Sequence, residues 1–138
     1  MSSTTFLSRR LDRSAAPLAV GDLVVLIGLL TVGALRHNTA AYLQENPVYL
    51  LSVLAPFLIG WAIAAPIVGA YSPGAVESAK SSLPLTIRSW VPAAAIAFVL
   101  RASPLFHGGV QLSFVAVVFL LGLVSLSGWR YLSFRVRG

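Results

Sequence analysis

The sequence predicts an all-α integral membrane protein, an up-down bundle of four transmembrane helices, and three observations support this. Hydrophobic residues make up 57% of the 138 residues and charged residues 10%, whereas soluble domains usually contain ~25% charged residues. The mean hydropathy is +0.85. Four segments each offer the ~20 mostly apolar residues that a bilayer crossing needs. Ten basic and four acidic residues could not supply the polar stripe that every helix of a soluble bundle requires.

The four predicted spans are separated by polar or turn-forming segments, and the period-2 alternation of β-barrel strands is absent. A basic segment, residues 1–16, precedes the transmembrane domain, residues 17–131, and a basic tail, residues 132–138, follows it. Because no small-residue cleavage site closes the first apolar run, this run is expected to be a retained span and not a signal peptide. The spans are predicted at about 17–35, 47–71, 83–100 and 110–129.

The distribution of basic residues predicts a multi-pass protein of the plasma membrane with both termini in the cytoplasm. Eight of the ten Lys and Arg residues lie at the end of the bundle that would carry the termini, and Arg36 and Arg101 lie at the other. Cytoplasmic segments of membrane proteins are enriched in Lys and Arg. The same enrichment accounts for the net charge of +6, so nucleic acid is not an expected partner. The expected partners are the lipid bilayer and either a second copy or a larger membrane protein.

Asp22 is the most informative charge, because it stands at the head of a long apolar run. Thirteen residues separate it from Arg36, a rise of ~20 Å that is shorter than a ~30 Å hydrocarbon core. The short side chain of Asp cannot reach the headgroups, so it needs a partner. The first and third spans run in the same direction, which makes Arg88 the first candidate and Arg130, after the fourth span, the second. A structural ion pair is favoured over a proton or cation site.

The opposite end of the bundle carries the remaining ionisable candidates. Two arginines at equal depth could hold an anion, although lipid phosphates or interface water are the favoured partners. Two histidines could ligate a metal, but no carboxylate–His spacing surrounds them, so no metal site and no cofactor are predicted. These four candidates are Arg36, His37, Arg101 and His107.

Proline and glycine residues mark expected kinks and close helix contacts. Pro56 and Pro66 interrupt the second span, and Pro92 interrupts the third. Proline removes a backbone hydrogen bond and kinks a helix. Gly60 and Gly69 each belong to a pair of small residues four positions apart, a spacing that permits close helix approach in membranes. Packing inside the bundle is favoured over a hinge or a dimer face.

Four stretches of the chain have a distinctive composition. They are the helix that opens at Asp22 and ends in "ALRHN" (34–38), "APFLIGWAIA" (55–64), "PLTIRSWVPAAAIAFVLRA" (84–102) and "FVAVVFLLGLVSLSGWR" (114–130). Together they resemble a family of small four-span membrane proteins found in haloarchaea and actinobacteria, domain of unknown function 3054. The resemblance covers residues 17–131, and "PFLIGW" and "GWR" carry most of its specificity. It implies the four-span architecture but supplies no reaction.

Three functional hypotheses remain open from the sequence. The leading hypothesis is a small non-catalytic membrane protein that acts as an accessory or assembly partner of another membrane protein. The second is a small oligomeric transporter or channel subunit that uses Asp22 and Arg88. The third is a membrane enzyme acting on lipid, ranked last because no nucleophile–base pair appears and because the absence of cysteine excludes thiol catalysis. The chain is therefore expected not to be an enzyme.

Overall fold

The computed structural model describes residues 11–103 and 112–137, and this part of the chain is all-helical. Four of its helices are long and apolar enough to cross a membrane, as the sequence predicts. A 3-10 turn, Arg13–Ala15, leads into the first of them. The helices are α1 (Ala16–His37), α2 (Ala40–Glu45), α3 (Pro47–Val68), α4 (Pro73–Glu77), α5 (Ala79–Ala102) and α6 (Leu112–Arg137).

The four long helices α1, α3, α5 and α6 form a ring in which each packs against two neighbours. Helix α3 packs against α5, α5 against α6, α6 against α1, and α1 against α3. Helices α1 and α5 therefore face each other across the bundle, as do α3 and α6. Short connections make ring neighbours antiparallel, so the start of α1 and the end of α6 lie at the same end of the bundle. We call this end, which also carries Ala70 and Ser82, the terminal end.

Helix α3 stops earlier than the sequence predicts, and Gly69 is the cause. Gly69 adopts a left-handed backbone conformation with φ of 101°, which side-chain-bearing residues rarely adopt. Its N–H donates to the Ala65 carbonyl at 2.9 Å, so that the chain turns out of the helix as in other glycine caps. Gly69 thus ends α3 instead of packing within a span, and Tyr71 falls outside the helix.

Helices α3 and α5 approach each other closely at Gly60 on α3. A Cβ atom built there would lie 2.3 Å from the backbone carbonyl oxygen of Ala93 on α5, so only glycine fits. Pro56, one turn away, is buried, and Pro66 is partly buried near the end of the same helix. Pro92 lies next to Ala93 and is also partly buried. Of these residues, Pro56 and Gly60 are buried inside the bundle.

Aromatic rings fill the core between α3, α5 and α6. Trp90 stacks on Phe57 with ring centroids 6.3 Å apart and on Phe119 with centroids 6.4 Å apart. Its indole N–H donates to the Phe119 carbonyl at 2.9 Å. The ring lies over Gly122, where a Cβ atom would come within 2.2 Å of it. Trp90 is thus a core residue and joins three helices.

The outward faces of the four long helices carry large apolar side chains. Val24 on α1 is 64% exposed, Val99 on α5 70%, and Val124 on α6 67%. Among the four long helices, α6 buries the smallest share of its described residues. An apolar exterior around an apolar core is what a bilayer requires of a protein surface.

Candidate functional site: a buried ion-pair network

The centre of the site is an ion pair between Asp22 on α1 and Arg130 on α6. Arg130 Nη2 donates to Asp22 Oδ2 at 2.6 Å, and Arg130 Nε donates to Asp22 Oδ1 at 3.2 Å. Both side chains are 0% exposed. Two parallel bonds from a planar guanidinium are the strongest arrangement available to a carboxylate. The pair therefore binds the first long helix to the last.

The rest of the Arg130 guanidinium is hydrogen-bonded to the segment after α3 and to α5. Its Nη1 donates to the backbone carbonyl of Ala70 at 3.0 Å and to Ser82 Oγ at 2.9 Å. Its central carbon lies 5.3 Å from the centroid of the Tyr71 ring, within the range of a cation–π contact. One side chain thus contacts α1, α5 and the segment after α3.

Tyr71 links the carboxylate to α3. Its hydroxyl donates to Asp22 Oδ2 at 2.8 Å and accepts from the indole N–H of Trp61 at 2.6 Å. Burial of the phenol, followed by the negative charge of Asp22, raises the pKa of Tyr71 above its ordinary value of 10.0. The hydroxyl therefore stays protonated and remains a donor to the carboxylate.

The backbone of Tyr71 is held from the N-terminal side of α1. The N–H of Asp12 donates to the Tyr71 carbonyl at 2.7 Å, and Leu11 forms an isolated parallel bridge with Tyr71. The left-handed turn at Gly69 directs the chain toward this position. Residues before α1 and after α3 therefore fix the phenol over the ion pair together.

Trp129, the neighbour of Arg130 in the chain, covers the site on the α1 side. Its indole lies on Gly21, where a Cβ atom would come within 1.9 Å of the ring. Its N–H is buried close to the Asp22 carboxylate but outside hydrogen-bond geometry. The glycine beside Asp22 thus makes room for a large ring that shields the ion pair from lipid.

The expected pairing of Asp22 with Arg88 is wrong, because Arg130 occupies that position. Arg88 is exposed on the outside of α5. The expectation relied on depth and direction, since α1 and α5 run parallel. In an up-down ring, however, parallel helices are diagonal and the side-by-side neighbours are antiparallel. Helix α6 is a neighbour of α1, and its end reaches the depth of Asp22.

Three members of the network, Trp61, Tyr71 and Ser82, were not singled out from the sequence. Trp61 belongs to "PFLIGW" and Arg130 to "GWR", the two stretches on which the family resemblance rests. The position of Trp61 in one of these stretches was the sequence feature that could have indicated its place in the site. No pattern in the sequence signals Tyr71, because its position depends on the turn at Gly69.

The residues considered as anion, lipid or metal ligands at the end of the bundle opposite the terminal end have different surroundings from one another. Arg36 is exposed at the end of α1. Arg101 is 9% exposed at the end of α5, beside Tyr49, and α1 and α5 are not ring neighbours. The backbone of His37 ends α1, but its side chain and the whole of His107 lie outside the described residues. Within residues 11–103 and 112–137, no three His, Asp or Glu side chains form a group that could hold a metal ion.

An all-helical chain with four candidate spans, whose outermost helices meet in a buried ion pair, is an integral membrane protein of the small multi-pass class. The chain belongs to the family described as proteins of unknown function, DUF3054, whose model matches residues 19–133. Asp22, Trp61, Tyr71, Ser82 and Arg130 lie within that range, whereas Leu11 and Asp12, which hold the Tyr71 backbone, precede it. No curated protein and no solved structure matches the chain.

Proposed function

We propose that this chain is a non-catalytic membrane protein that acts as an accessory or assembly partner of another membrane protein. The observation that carries the proposal is that both oxygens of the Asp22 carboxylate are occupied by hydrogen bonds within the protein. Both of its oxygens accept hydrogen bonds from Arg130, and one also accepts from Tyr71. A group so bonded serves to join helices, because releasing or binding a proton or cation would break the bonds that hold α1 to α6.

The positions of the other ionisable residues support this proposal. Asp22 is the sole acid within the four candidate spans, and it lies near one end of α1. Carriers place their ionisable groups near the midplane, often in broken helices. Arg88, the basic residue closest to the middle of a long helix, is exposed on the exterior, and an arginine does not release its proton. The positions of these ionisable residues therefore do not support a proton path through the bundle.

The exterior supplies the surface on which a partner would dock. Helix α6 buries the smallest share of its residues, and Val117, Leu120, Leu121 and Val124 on it are all about half exposed or more. An apolar helix face of this kind suits a neighbouring transmembrane helix as well as lipid. The proposed partner is a membrane protein that packs against α6.

Site-specific photo-cross-linking in native membranes tests the partner. A photoreactive residue at Val124 on α6 is compared with one at Val99 on α5, because the two are 67% and 70% exposed. One protein of defined mass cross-linked at Val124 and not at Val99 is the expected result. Cross-links to lipid alone at both positions would contradict the proposal. So would a proton or ion flux in vesicles of the pure protein that Asp22→Asn abolishes without unfolding the bundle.

We further propose that both termini face the cytoplasm, since eight of the ten basic residues precede the first span, lie around the start of the third or follow the fourth, and cytoplasmic segments are enriched in such residues. The chain has no cysteine, so single cysteines can be labelled without background. Gln44 on α2 and Glu77 on α4 are both exposed at opposite ends of the bundle. An impermeant thiol reagent added to intact cells is expected to label Gln44→Cys and not Glu77→Cys, and the reverse labelling pattern would refute this orientation.

A further inference from the structure

Arg88, which the ion-pair network does not use, lies on the outward face of α5. Lys80, Pro84, Val91 and Ala95 are exposed on the same side, at intervals of three and four residues that place them along one face of a helix. Apart from Lys80 this face is apolar on both sides of Arg88. A guanidinium on a surface of this composition faces the bilayer.

The depth of Arg88 follows from a contact that the network makes. Ser82 Oγ and the Ala70 carbonyl both accept from Arg130 Nη1, so Ser82 lies at the level where α3 has already ended. Arg88 comes six residues after Ser82 on the same helix, which places its Cα ~9 Å deeper into the bundle. A guanidinium charge at that depth has an unfavourable solvation free energy unless it reaches the headgroup region or a partner.

The direction of α5 lets Arg88 reach the headgroups at the terminal end. Side chains on a helix tilt toward its N-terminus, and the N-terminus of α5 lies at the terminal end of the bundle. The arginine stem can therefore run outward over Pro84 along apolar surface while its head approaches Lys80. Arg13 and Arg135, also at this end, are exposed as well. The terminal end thus carries exposed basic side chains from the turn before α1, from α5 and from α6, and the exposed Glu77 of α4 lies at this end as well.

No Asp or Glu lies on the outward face of α5, and the acid nearest to Arg88 in the sequence, Glu77 on α4, precedes Lys80 and comes eleven residues before Arg88. The chain has four acids, and Asp22, the one within the spans, is bonded to Arg130. The α5 helix itself contains no Asp or Glu. The planar fork of a guanidinium matches the oxygens of a phosphate and binds them in a bidentate manner. Phosphate groups are present throughout the headgroup layer that the side chain reaches.

We propose that Arg88 and Lys80 form a binding site for the phosphate of an anionic lipid headgroup, on the outer surface of α5. The Arg88 guanidinium binds the phosphate from the acyl-chain side, and the Lys80 ammonium group contacts it from the aqueous side. The acyl chains lie along the apolar face that continues through Val91 and Ala95. This site is separate from the Asp22–Arg130 network and does not depend on the accessory role proposed above.

Native mass spectrometry of the full chain in detergent tests the site, with phosphatidylglycerol as the anionic probe and phosphatidylcholine as the zwitterionic one. The variants are Arg88→Gln, Arg88→Lys and, as the matched control, Arg135→Gln at an exposed position of α6. Wild type and Arg135→Gln are expected to retain one phosphatidylglycerol molecule. Arg88→Gln is expected to lose about fivefold in retention, the effect of one basic residue near a membrane surface. Arg88→Lys should retain more lipid than Arg88→Gln but less than wild type, because the charge remains while the bidentate fork is lost.

The melting temperature in lipid-free detergent serves as the folding control, and Arg88→Gln should leave it unchanged because Arg88 makes none of the network contacts. Equal retention of phosphatidylglycerol by Arg88→Gln and wild type would overturn the proposal. Equal, Arg88-dependent retention of phosphatidylcholine would overturn the preference for an anionic lipid, and displacement by inorganic phosphate would show a soluble-anion site instead. A protein cross-linked through the exposed Ile87 in native membranes would show that a partner, not lipid, covers this face.

Discussion

Asp22 and Arg130 stand 108 residues apart in the chain, yet they share two hydrogen bonds at the terminal end of the bundle. Through this pair α1 and α6 are joined directly, and the ring of four long helices is closed. Arg130 extends the connection to Ala70 and Ser82. The ion pair is therefore the contact on which the terminal end of the fold depends.

Removing one partner of the ion pair should destabilise the protein strongly. Asp22→Asn leaves the Arg130 charge buried without a counter-charge, for which we expect a loss of ~3–5 kcal/mol in the free energy of unfolding. Denaturant unfolding in detergent micelles measures this loss, with Arg88→Gln as the control that should unfold as wild type does. The double variant Asp22→Leu with Arg130→Met should lose less than Asp22→Asn, because it buries no charge. A double variant less stable than Asp22→Asn would contradict this account.

Tyr71→Phe should destabilise the protein by ~1–3 kcal/mol, because the indole N–H of Trp61 loses its acceptor in a buried setting. The ring is kept, so the cation–π contact with Arg130 is preserved and the effect isolates the hydroxyl. Tyr131→Phe provides the matched control, since Tyr131 is 47% exposed. Equal melting temperatures for the two variants would show that the hydroxyl of Tyr71 contributes nothing.

Gly60→Ala should separate α3 from α5, because the new methyl group would lie 2.3 Å from the Ala93 carbonyl oxygen. Overpacking of this kind typically costs ~1–3 kcal/mol. Gly28→Ala on α1 is the control, as a Cβ atom there meets nothing within 4 Å, and alanine is the better helix former. Thermal unfolding should show a lower midpoint for Gly60→Ala and an unchanged or higher one for Gly28→Ala. A Gly60→Ala protein as stable as wild type would mean that the helices can move apart without cost.

The stability of the protein should fall as the pH rises above about 10, in part because of Tyr71. Burial and the charge of Asp22 raise the pKa of Tyr71 above 10.0, so the unfolded chain releases the proton at a lower pH than the folded chain does. Stability that is fully present below pH 10.0 is then lost with rising pH. Unfolding free energies measured between pH 8 and 11 should fall less steeply for Tyr71→Phe than for wild type. Gly60→Ala, which removes no titrating group, should keep the wild-type slope; a shared slope for all three proteins would contradict the raised pKa.

The architecture was predictable from the sequence because the number and length of apolar runs decide how many times a chain crosses a bilayer. Four apolar runs of sufficient length predict four spans, and a short acid inside the first run predicts a buried partner. Residue depth along each helix follows from the rise per residue. Depth read from the predicted span boundaries could not select between Arg88 and Arg130, since it placed both near the level of Asp22. The selection depends on which helices are neighbours in the ring, and the sequence pattern contains no information about this.

The remainder of the site depends on local backbone geometry that the apolar pattern does not encode. Tyr71 reaches Asp22 because Gly69 turns left-handed and because Asp12 holds the Tyr71 carbonyl. The apolar pattern instead continued the helix through Tyr71, which would have pointed its side chain elsewhere. Tryptophan in membrane proteins is typically found near the membrane interface, yet Trp90 stacks on Phe57 and Phe119 in the core. Gly122 leaves room for its ring, a close contact that the apolar pattern does not reveal.

The order of synthesis gives the ion pair a further consequence. A ribosome completes α1 more than ninety residues before it reaches Arg130, so Asp22 enters the membrane long before its counter-charge exists. During that interval the first helix carries an acid with no permanent partner, and the terminal end of the bundle stays open. The ring closes only when the last helix is in place. A chain truncated before Arg130 therefore carries a carboxylate without its counter-charge, and this distinguishes an unfinished copy from a finished one.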